Sequence, residues 1–381
     1  MTRIICILLM SLLSGLLMPA KASDAAAGGQ PAKAIDPKEI IFEHLGDGYG
    51  WEVPFNHHKR IPLPILVWGS DGFHCFSSSR VADGRTYKDG DAEFRIAGKD
   101  SPYKGKIVEI VDGHEEKPFD ISITKNVLAL FITVILVVGL MLWLARFHRR
   151  HKEFKAPRKG LGAIEAVVTF IYDGVIKSTL GPQAPRFAPY LLSVFFFILT
   201  MNLLGLIVVF PGGANLTGNI AVTLVLAVFT FLMTNLLANK HYWKEIFWPD
   251  VPIWLKFPLP IMQVIEVFGI FTKPAALTVR LFANMMGGHM IVIVLTLLIF
   301  IFAAMSPAIG AATSVVSIIF SVFMLLIDVL VSFIQAYVFT MLSTIFISLA
   351  QEKEHKKEER EKEEKNGKTA AQPAVAAAAT K

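Results

Sequence analysis

From Val127 onward the chain alternates long apolar runs with short polar ones, and that alternation sets out most of its architecture. Val127 to Ala145 carries no formal charge over 19 residues and ends in a basic cluster: Arg146, Arg149, Arg150, Lys152, Lys155, Arg158 and Lys159. A run of that length spans a bilayer, and its basic end stays inside. Gly160 to Leu180 places Ile164, Val167, Val168, Ile171 and Val175 at helical spacing among Glu165, Asp173 and Lys177. That is the pattern of an amphipathic helix on the inner surface. Phe187 to Phe210 spans outward, an uncharged loop follows from Pro211 to Gly218, and Asn219 to Asn239 returns to meet Lys240 and Lys244.

The last two apolar segments, Met262 to Met305 and Ala311 to Ala350, are about 66 and about 60 Å long as unbroken helices. The hydrocarbon core is only about 30 Å thick, so an unbroken helix must tilt near ~60°, well past the usual ~20°. The alternative is two shorter spans per segment. Lys273-Pro274 is a plausible break in the first and Gly287-Gly288 a weaker one. The second has no internal proline or glycine, which favours one long, steeply tilted helix. Pro307 and Gly310 mark the outer turn between the segments.

Upstream, Arg3, the apolar run Ile4 to Leu17 and Ala20-Lys21-Ala22 form a secretory leader with cleavage expected after Ala22. A further membrane helix is the alternative. Residues 23–122 are polar and Gly-containing, with short β-like runs at Ile65-Leu-Val-Trp68 and Lys106 to Val111. Placed after a leader, they read as a small extracytoplasmic domain. Residues 123–351 form the membrane domain. From 352 to 381 the chain is a cytoplasmic tail: Glu352 to Lys365 is nearly all charged, and the Ala-rich remainder reads as disordered. The whole reads as an all-α membrane protein of about five membrane helices, the last two long and steeply tilted, with a small N-terminal extracytoplasmic domain.

Composition agrees: 54% of residues are hydrophobic and 18% charged. The net charge of +6 clusters beside apolar segments, so it reports topology rather than nucleic-acid binding. Cys6 leaves with the leader and Cys75 then stands alone, which excludes an intrachain disulfide. No CxxC or His/Cys cluster suggests a metal; His57-His58 reads as a solvated pair. No phosphate-binding loop occurs, and no cofactor is expected.

Charges inside apolar segments carry the candidate chemistry. Arg280 is the only fixed positive charge between Lys273 and the tail. At mid-bilayer depth an arginine costs at least about 2.5–3.5 kcal/mol, and no acid lies at i±3 or i±4. Its counter-charge must come from another segment, another chain or water. Asp328 is the only formally charged residue between Met290 and Gln351. His289 lies about 13.5 Å beyond Arg280, and Asp328 about 10.5 Å beyond Gln335. If the two helices are antiparallel and Gln335 is level with Arg280, His289 and Asp328 share a depth near the outside. An imidazole and a carboxylate at one level can pass protons. The alternative is an isolated buried histidine and an isolated protonated aspartate. Glu266, about 21 Å on the inner side of Arg280, is either part of an inner aqueous path or a headgroup-level carboxylate.

Lys273-Pro-Ala-Ala-Leu-Thr-Val-Arg280-Leu-Phe-Ala-Asn284-Met resembles the signature of ATP synthase subunit a, in which an arginine precedes Leu-Phe-x-Asn-Met. Ile334-Gln335-Ala-Tyr-Val-Phe339 resembles the glutamine-aromatic stretch of that family's last helix, and Met201-Asn202-Leu and the order of spans also look like it. The resemblance covers about residues 120 to 352 and implies a stationary proton-channel subunit, without nucleotide chemistry of its own, in the bacterial inner membrane. It implies a ring of c subunits, b-type peripheral stalk subunits, the soluble F1 sector and the lipid bilayer as partners. It implies that Arg280 attracts each deprotonated ring carboxylate and separates two half-channels. Asn284 and Gln335 would border the arginine, and Glu266 would serve the cytoplasmic path. Many bacterial members carry an acid at the position of His289 and a histidine at that of Asp328; here the types are exchanged. Gly205 stands where some members carry an acid.

Two other readings compete. A secondary transporter would use Arg280 to bind an anionic substrate, but the inverted repeats and paired broken helices it predicts are not found. A membrane scaffold would make the buried charges structural. Purification in mild detergent separates these, because only the synthase subunit brings a small ring protein and a nucleotide-hydrolysing sector.

Overall fold

Apolar length decides the helices. In the computed structural model, which describes residues 46–53, 56–98, 101–111, 113–150, 160–207, 214–247, 261–305 and 307–351, four helical stretches are long and apolar enough to cross a membrane. They are Lys125–Arg150, Gly160–Leu206, Gln263–Ile299 and Gly310–Ala350, and a fifth apolar helix, Ile220–Leu236, has 17 residues. The expected leader and the charged tail lie outside the described residues.

The first span is α1 (Lys125–Arg150). Next come α2 (Gly160–Ile171), a π-helical stretch (Tyr172–Lys177) and a single turn to Leu180. Gly181, at φ +54°, bends the chain through a conformation that side chains disfavour, and α3 (Ala184–Leu206) follows. The segments read as an amphipathic helix and a separate span are contiguous helical structure over 47 residues, with the bend at Gly181 between them. Then come α4 (Ile220–Leu236), the short α5 (Lys240–Phe247), α6 (Ile261–Met305) and α7 (Pro307–Ala350). No break occurs at Lys273-Pro274: α6 is one 45-residue helix with Pro274 inside it. The Pro274 carbonyl accepts a hydrogen bond from Thr278 Oγ1 at 2.9 Å, and Ile270, Leu277 and Leu281 are buried on both sides of the proline. Packing along that face holds the helix through the proline's lost donor.

The chain divides into two units. The first contains Met1–Phe154, Phe196–Asn219 and Leu281–Gln335. Its N-terminal part is a β-domain with nine short strands among the described residues. A hairpin pairs β1 (Gly50–Val53) with β2 (Asn56–Pro62). A three-stranded sheet runs β4-β3-β9, from β3 (Pro64–Gly69), β4 (Gly72–Ser77) and β9 (Phe119–Asp120). A four-stranded sheet runs β5-β6-β7-β8, from β5 (Tyr87–Asp89), β6 (Ala92–Ile96), β7 (Ile107–Val111) and β8 (His114–Glu116). The two β-like runs expected from sequence fall on β3 and β7. Alternate residues Ile65, Val67 and Phe76 turn inward and meet Tyr49, Val81, Ala92, Phe94 and Ile107 in one core. Tyr49 anchors that core through its hydroxyl, which donates to Asp120 at 2.5 Å and accepts from the Ile107 N–H at 3.1 Å. Burial, and then the bond to Asp120, push its phenol above the usual tyrosine range. Buried Glu109 accepts from both the N–H and the hydroxyl of Ser70.

The second unit contains Lys155–Phe195, Ile220–Arg280 and Ala336–Lys381. Tyr190 and Thr230 hydroxyls meet at 3.0 Å, Phe231 stacks on Phe271, and Phe170 stacks on Tyr337. The end of α7 is latched to the α4–α5 turn. Asn239 donates its N–H to the Ala350 carbonyl and its side-chain amide to the Gln351 carbonyl, at 2.9 and 2.8 Å. Gln351, buried, returns a bond from Nε2 to the Leu237 carbonyl. The last carbonyls of a long helix, which have no partner of their own in the helix, are thereby satisfied.

Candidate functional site

In the first unit, α6 and α7 run antiparallel. Ser317 Oγ donates to the Leu295 carbonyl at 2.8 Å, and further along α7 the Asp328 carboxylate lies against the backbone of Gly288. A Cβ at Gly288 would sit 2.8 Å from Asp328 Oδ1. His289 is the next residue, so the imidazole and the carboxylate leave neighbouring positions at one level. Both are half-buried and they form no ion pair. The His289 ring faces the backbone of Gly205 and Met285 instead, and its Cε1 stands 4.0 Å from where a Gly205 Cβ would be. A Cβ at 205 would only touch the ring, and would press more closely on Met285 Cε, at 3.1 Å.

Of the polar groups around this place, Gln335 and Asn202 were quoted from the sequence, whereas Asn215 and Thr217 were not singled out. Asn202, one turn before Gly205 on α3, is fully buried, and neither end of its amide bonds a protein group among the described residues. Asn215 Nδ2 and Thr217 Oγ1, in the segment that follows α3, are buried in the same way, as is Nε2 of Gln335 on α7. The Ala214 carbonyl is 3.7 Å from the Gly205 Cβ position, which ties that segment to the His289 pocket. The signal available in the sequence was Asn202, an amide inside an apolar run.

In the second unit, Arg280 is exposed on α6, and no carboxylate lies within ion-pair distance among the described residues. Ala276 and Ala283, a turn to either side of it, are exposed too, so the arginine rises from a strip of small side chains. Asn284, one turn on, is half-buried. Half-buried Glu266 is near enough to Tyr242 for its charge, after burial, to help push that phenol upward. Tyr242 also lines a small cavity of mixed character, where Thr230, Thr234, Asn235 and Lys273 sit among apolar side chains such as Phe231, Leu277 and Phe346, with room for a water molecule. Lys273 Nζ sits 5.3 Å above the Phe346 ring. Tyr242 and Asn235 were not singled out from sequence, because polar residues at helix ends read as surface, and Lys273 was quoted there only as part of a motif and a candidate break.

Four helical stretches long and apolar enough to cross a membrane, one bearing an arginine with no carboxylate partner among the described residues, define the class as a multi-pass membrane protein. The ATP synthase A chain family profile matches residues 127–348, and the chain belongs to that family. Residues 40–127 match a separate domain family of unknown function. The chain is 40% identical over 242 residues to ATP synthase subunit a of Chlorobium phaeobacteroides (strain DSM 266), covering 62% of this chain and 67% of that one. It is 44% identical over 233 residues to ATP synthase subunit a 2 of Chlorobaculum tepidum, covering 61% and 64%. With ATP synthase subunit a of Myxococcus xanthus the identity is 38% over 267 residues, covering 68% and 82%.

Proposed function

We propose that this chain is the stationary proton-translocating subunit of a rotary ATP synthase membrane sector, and that Arg280 couples proton flow to rotation. The observation that carries this reading is Arg280 itself. A fixed charge on an apolar helix costs several kcal/mol unless compensated, and this one faces outward without a carboxylate of its own chain among the described residues. Small neighbours let another helix come close. A ring of c subunits, each presenting a membrane carboxylate, supplies both the helix and the charge. The arginine then attracts each deprotonated carboxylate and stops protons passing directly between two half-channels.

The outer half-channel in this proposal uses His289 and Asp328, with Asn202, Asn215, Thr217 and Gln335 offering unpaired polar atoms that take water. Its opening is extracytoplasmic. The inner half-channel uses Glu266, Tyr242 and the polar groups of the small cavity beside Lys273, with Asn284 next to the arginine. The b-type stalk subunits and the F1 sector hold this chain against the moving ring, and ATP chemistry stays with F1.

The test is gradient-driven ATP synthesis in inverted vesicles. Arg280→Ala abolishes it. Arg280→Lys abolishes it too, because an ammonium lacks the planar fork and loses its proton more readily when buried. Near-normal synthesis in Arg280→Lys vesicles overturns the assigned role.

A further inference from the structure

The β-domain presents two sheets with opposite outer faces. The four-stranded sheet carries ion pairs outward: Lys88 with Glu93 at 3.6 Å, and Arg95 with Glu115. Such pairs belong in water. The three-stranded sheet carries aromatic and aliphatic groups outward. Trp68 lies opposite Phe73 on β4 and opposite Phe119 on β9, making one aromatic row across all three strands. These side chains are 59%, 56% and 71% exposed. The next row on the same face is Cys75, Leu66 and Ile121, with the Ile121 N–H donating to the Leu66 carbonyl at 2.9 Å. The opposite face of these strands already fills the core, so this face is spare. A contiguous apolar sheet face of this kind marks a contact with something apolar.

What it contacts follows from the connection to α1. The chain leaves this sheet without a free linker. Ile123 donates to the Pro64 carbonyl at 3.3 Å, Lys125 to the Gly48 carbonyl at 2.9 Å, and the Asn126 N–H to Asp47 Oδ1 at 3.2 Å. The sheet is thus fastened to the first turn of a membrane span. The apolar series Ile121, Ile123, Val127 and Phe131 runs from the sheet face into the span. Ile123 is within about 7 Å of chain from Lys125, and Phe119 within about 20 Å. The whole face therefore reaches the bilayer surface only when β3 lies along it. Tryptophan with flanking apolar groups is the composition that settles at the headgroup level.

We propose that the outer face of the β4-β3-β9 sheet is a lipid-docking surface that lays this domain flat on the bilayer beside the start of α1. Phe73, Trp68, Phe119, Leu66 and Ile121 seat in the interfacial layer, and the ion-paired sheet faces water. The proposal needs only that α1 spans the membrane and does not depend on the proton pathway.

Cys75, on the docking face, is a native probe. The complete synthase is labelled there with an environment-sensitive fluorophore in detergent and reconstituted into nanodiscs, with a Cys75→Ser complex as the blank. Lipids carrying quenchers just below the headgroup remove most of the emission, and iodide removes little. A label at Lys88→Cys, in a Cys75→Ser chain, shows the reverse. Labels at Phe119→Cys and Ile123→Cys, also in a Cys75→Ser chain, report similar depths. Replacing Trp68 and Phe119 together by Glu opens the Cys75 label to iodide while α1 keeps the chain in the membrane. Iodide quenching at Cys75 equal to that at Lys88→Cys means the face is in water and overturns the proposal. Protection from both quenchers means another protein covers it, and overturns it equally.

Discussion

The carboxylate of Asp328 on α7 occupies the space that a side chain at Gly288 on α6 would fill, with Oδ1 2.8 Å from the Cβ position. Gly288 is thus not a helix break, as a Gly-Gly pair suggests from sequence, but a notch in which the acid lies beside His289.

Gly288→Ala is therefore expected to slow gradient-driven synthesis several-fold, while Gly287→Ala, with nothing within 4 Å of its Cβ, leaves the rate unchanged. Both changes raise helix propensity by about 1 kcal/mol, so a loss confined to position 288 reports displacement of Asp328 rather than instability. Equal rates in the two variants would show that the acid's position does not matter.

His289 and Asp328 are expected to act as a unit in proton uptake. His289→Ala and Asp328→Ala each slow it, and the double variant is little worse than the poorer single. Exchanging them, Glu at 289 with His at 328, recovers more flux than His289→Glu alone, which sets two carboxylates at one level. Synthesis in inverted vesicles as a function of outer-side pH is the readout. Additive losses without rescue by the exchange would place the two residues in separate environments.

Much of this was legible in the sequence, for identifiable reasons. Unbroken apolar runs fix α1, α6 and α7, and an acid within such a run, as Asp328, stands out. Alternation marked β3 and β7 but not β1, β5 or β8, which at three or four residues are too short to show a period and exist only through their partners. Helix continuity through Pro274 was not legible, because it depends on which residues pack to either side. Gly205 was visible as a departure from the family pattern; that it packs against Met285 and beside the His289 ring needs the packing of α3 against α6. The cavity shared by Tyr242, Asn235 and Lys273 joins residues from separate segments, and no spacing rule connects them.

The β-domain should weaken in alkali. An unfolded Tyr49 releases its proton near pH ~10. In the folded domain burial and the Asp120 bond hold that proton to higher pH. Above ~10 the folded state binds more protons than the unfolded one, so stability falls by up to about 1.4 kcal/mol per pH unit; below it this contribution is constant. Tyr49→Phe loses about 1–3 kcal/mol at neutral pH and flattens the alkaline slope. Proteolysis within residues 46–123 of the detergent-solubilised chain, followed from pH 9 to ~11, measures both.

At the far end of the chain, Gln351→Ala is expected to destabilise the α4–α5 turn by about 1–3 kcal/mol and lower the yield of assembled complex. Removal of residues 367–381 should leave assembly and pumping nearly unchanged. Retention of the subunit in complexes purified in increasing detergent measures both, and a truncation that fails to assemble would make the tail a docking element.

The latch between Asn239 and Gln351 also has a meaning in time. Its two sides are 112 residues apart in the chain. At ribosomal speeds of about 5–20 residues per second, the turn waits about 6–22 s for its partner. During that interval the Leu237 carbonyl and the Asn239 amide must rely on water or on a provisional neighbour. A nascent chain that stalls inside α7 never supplies the missing groups, so the turn registers whether synthesis has reached the end of the last helix.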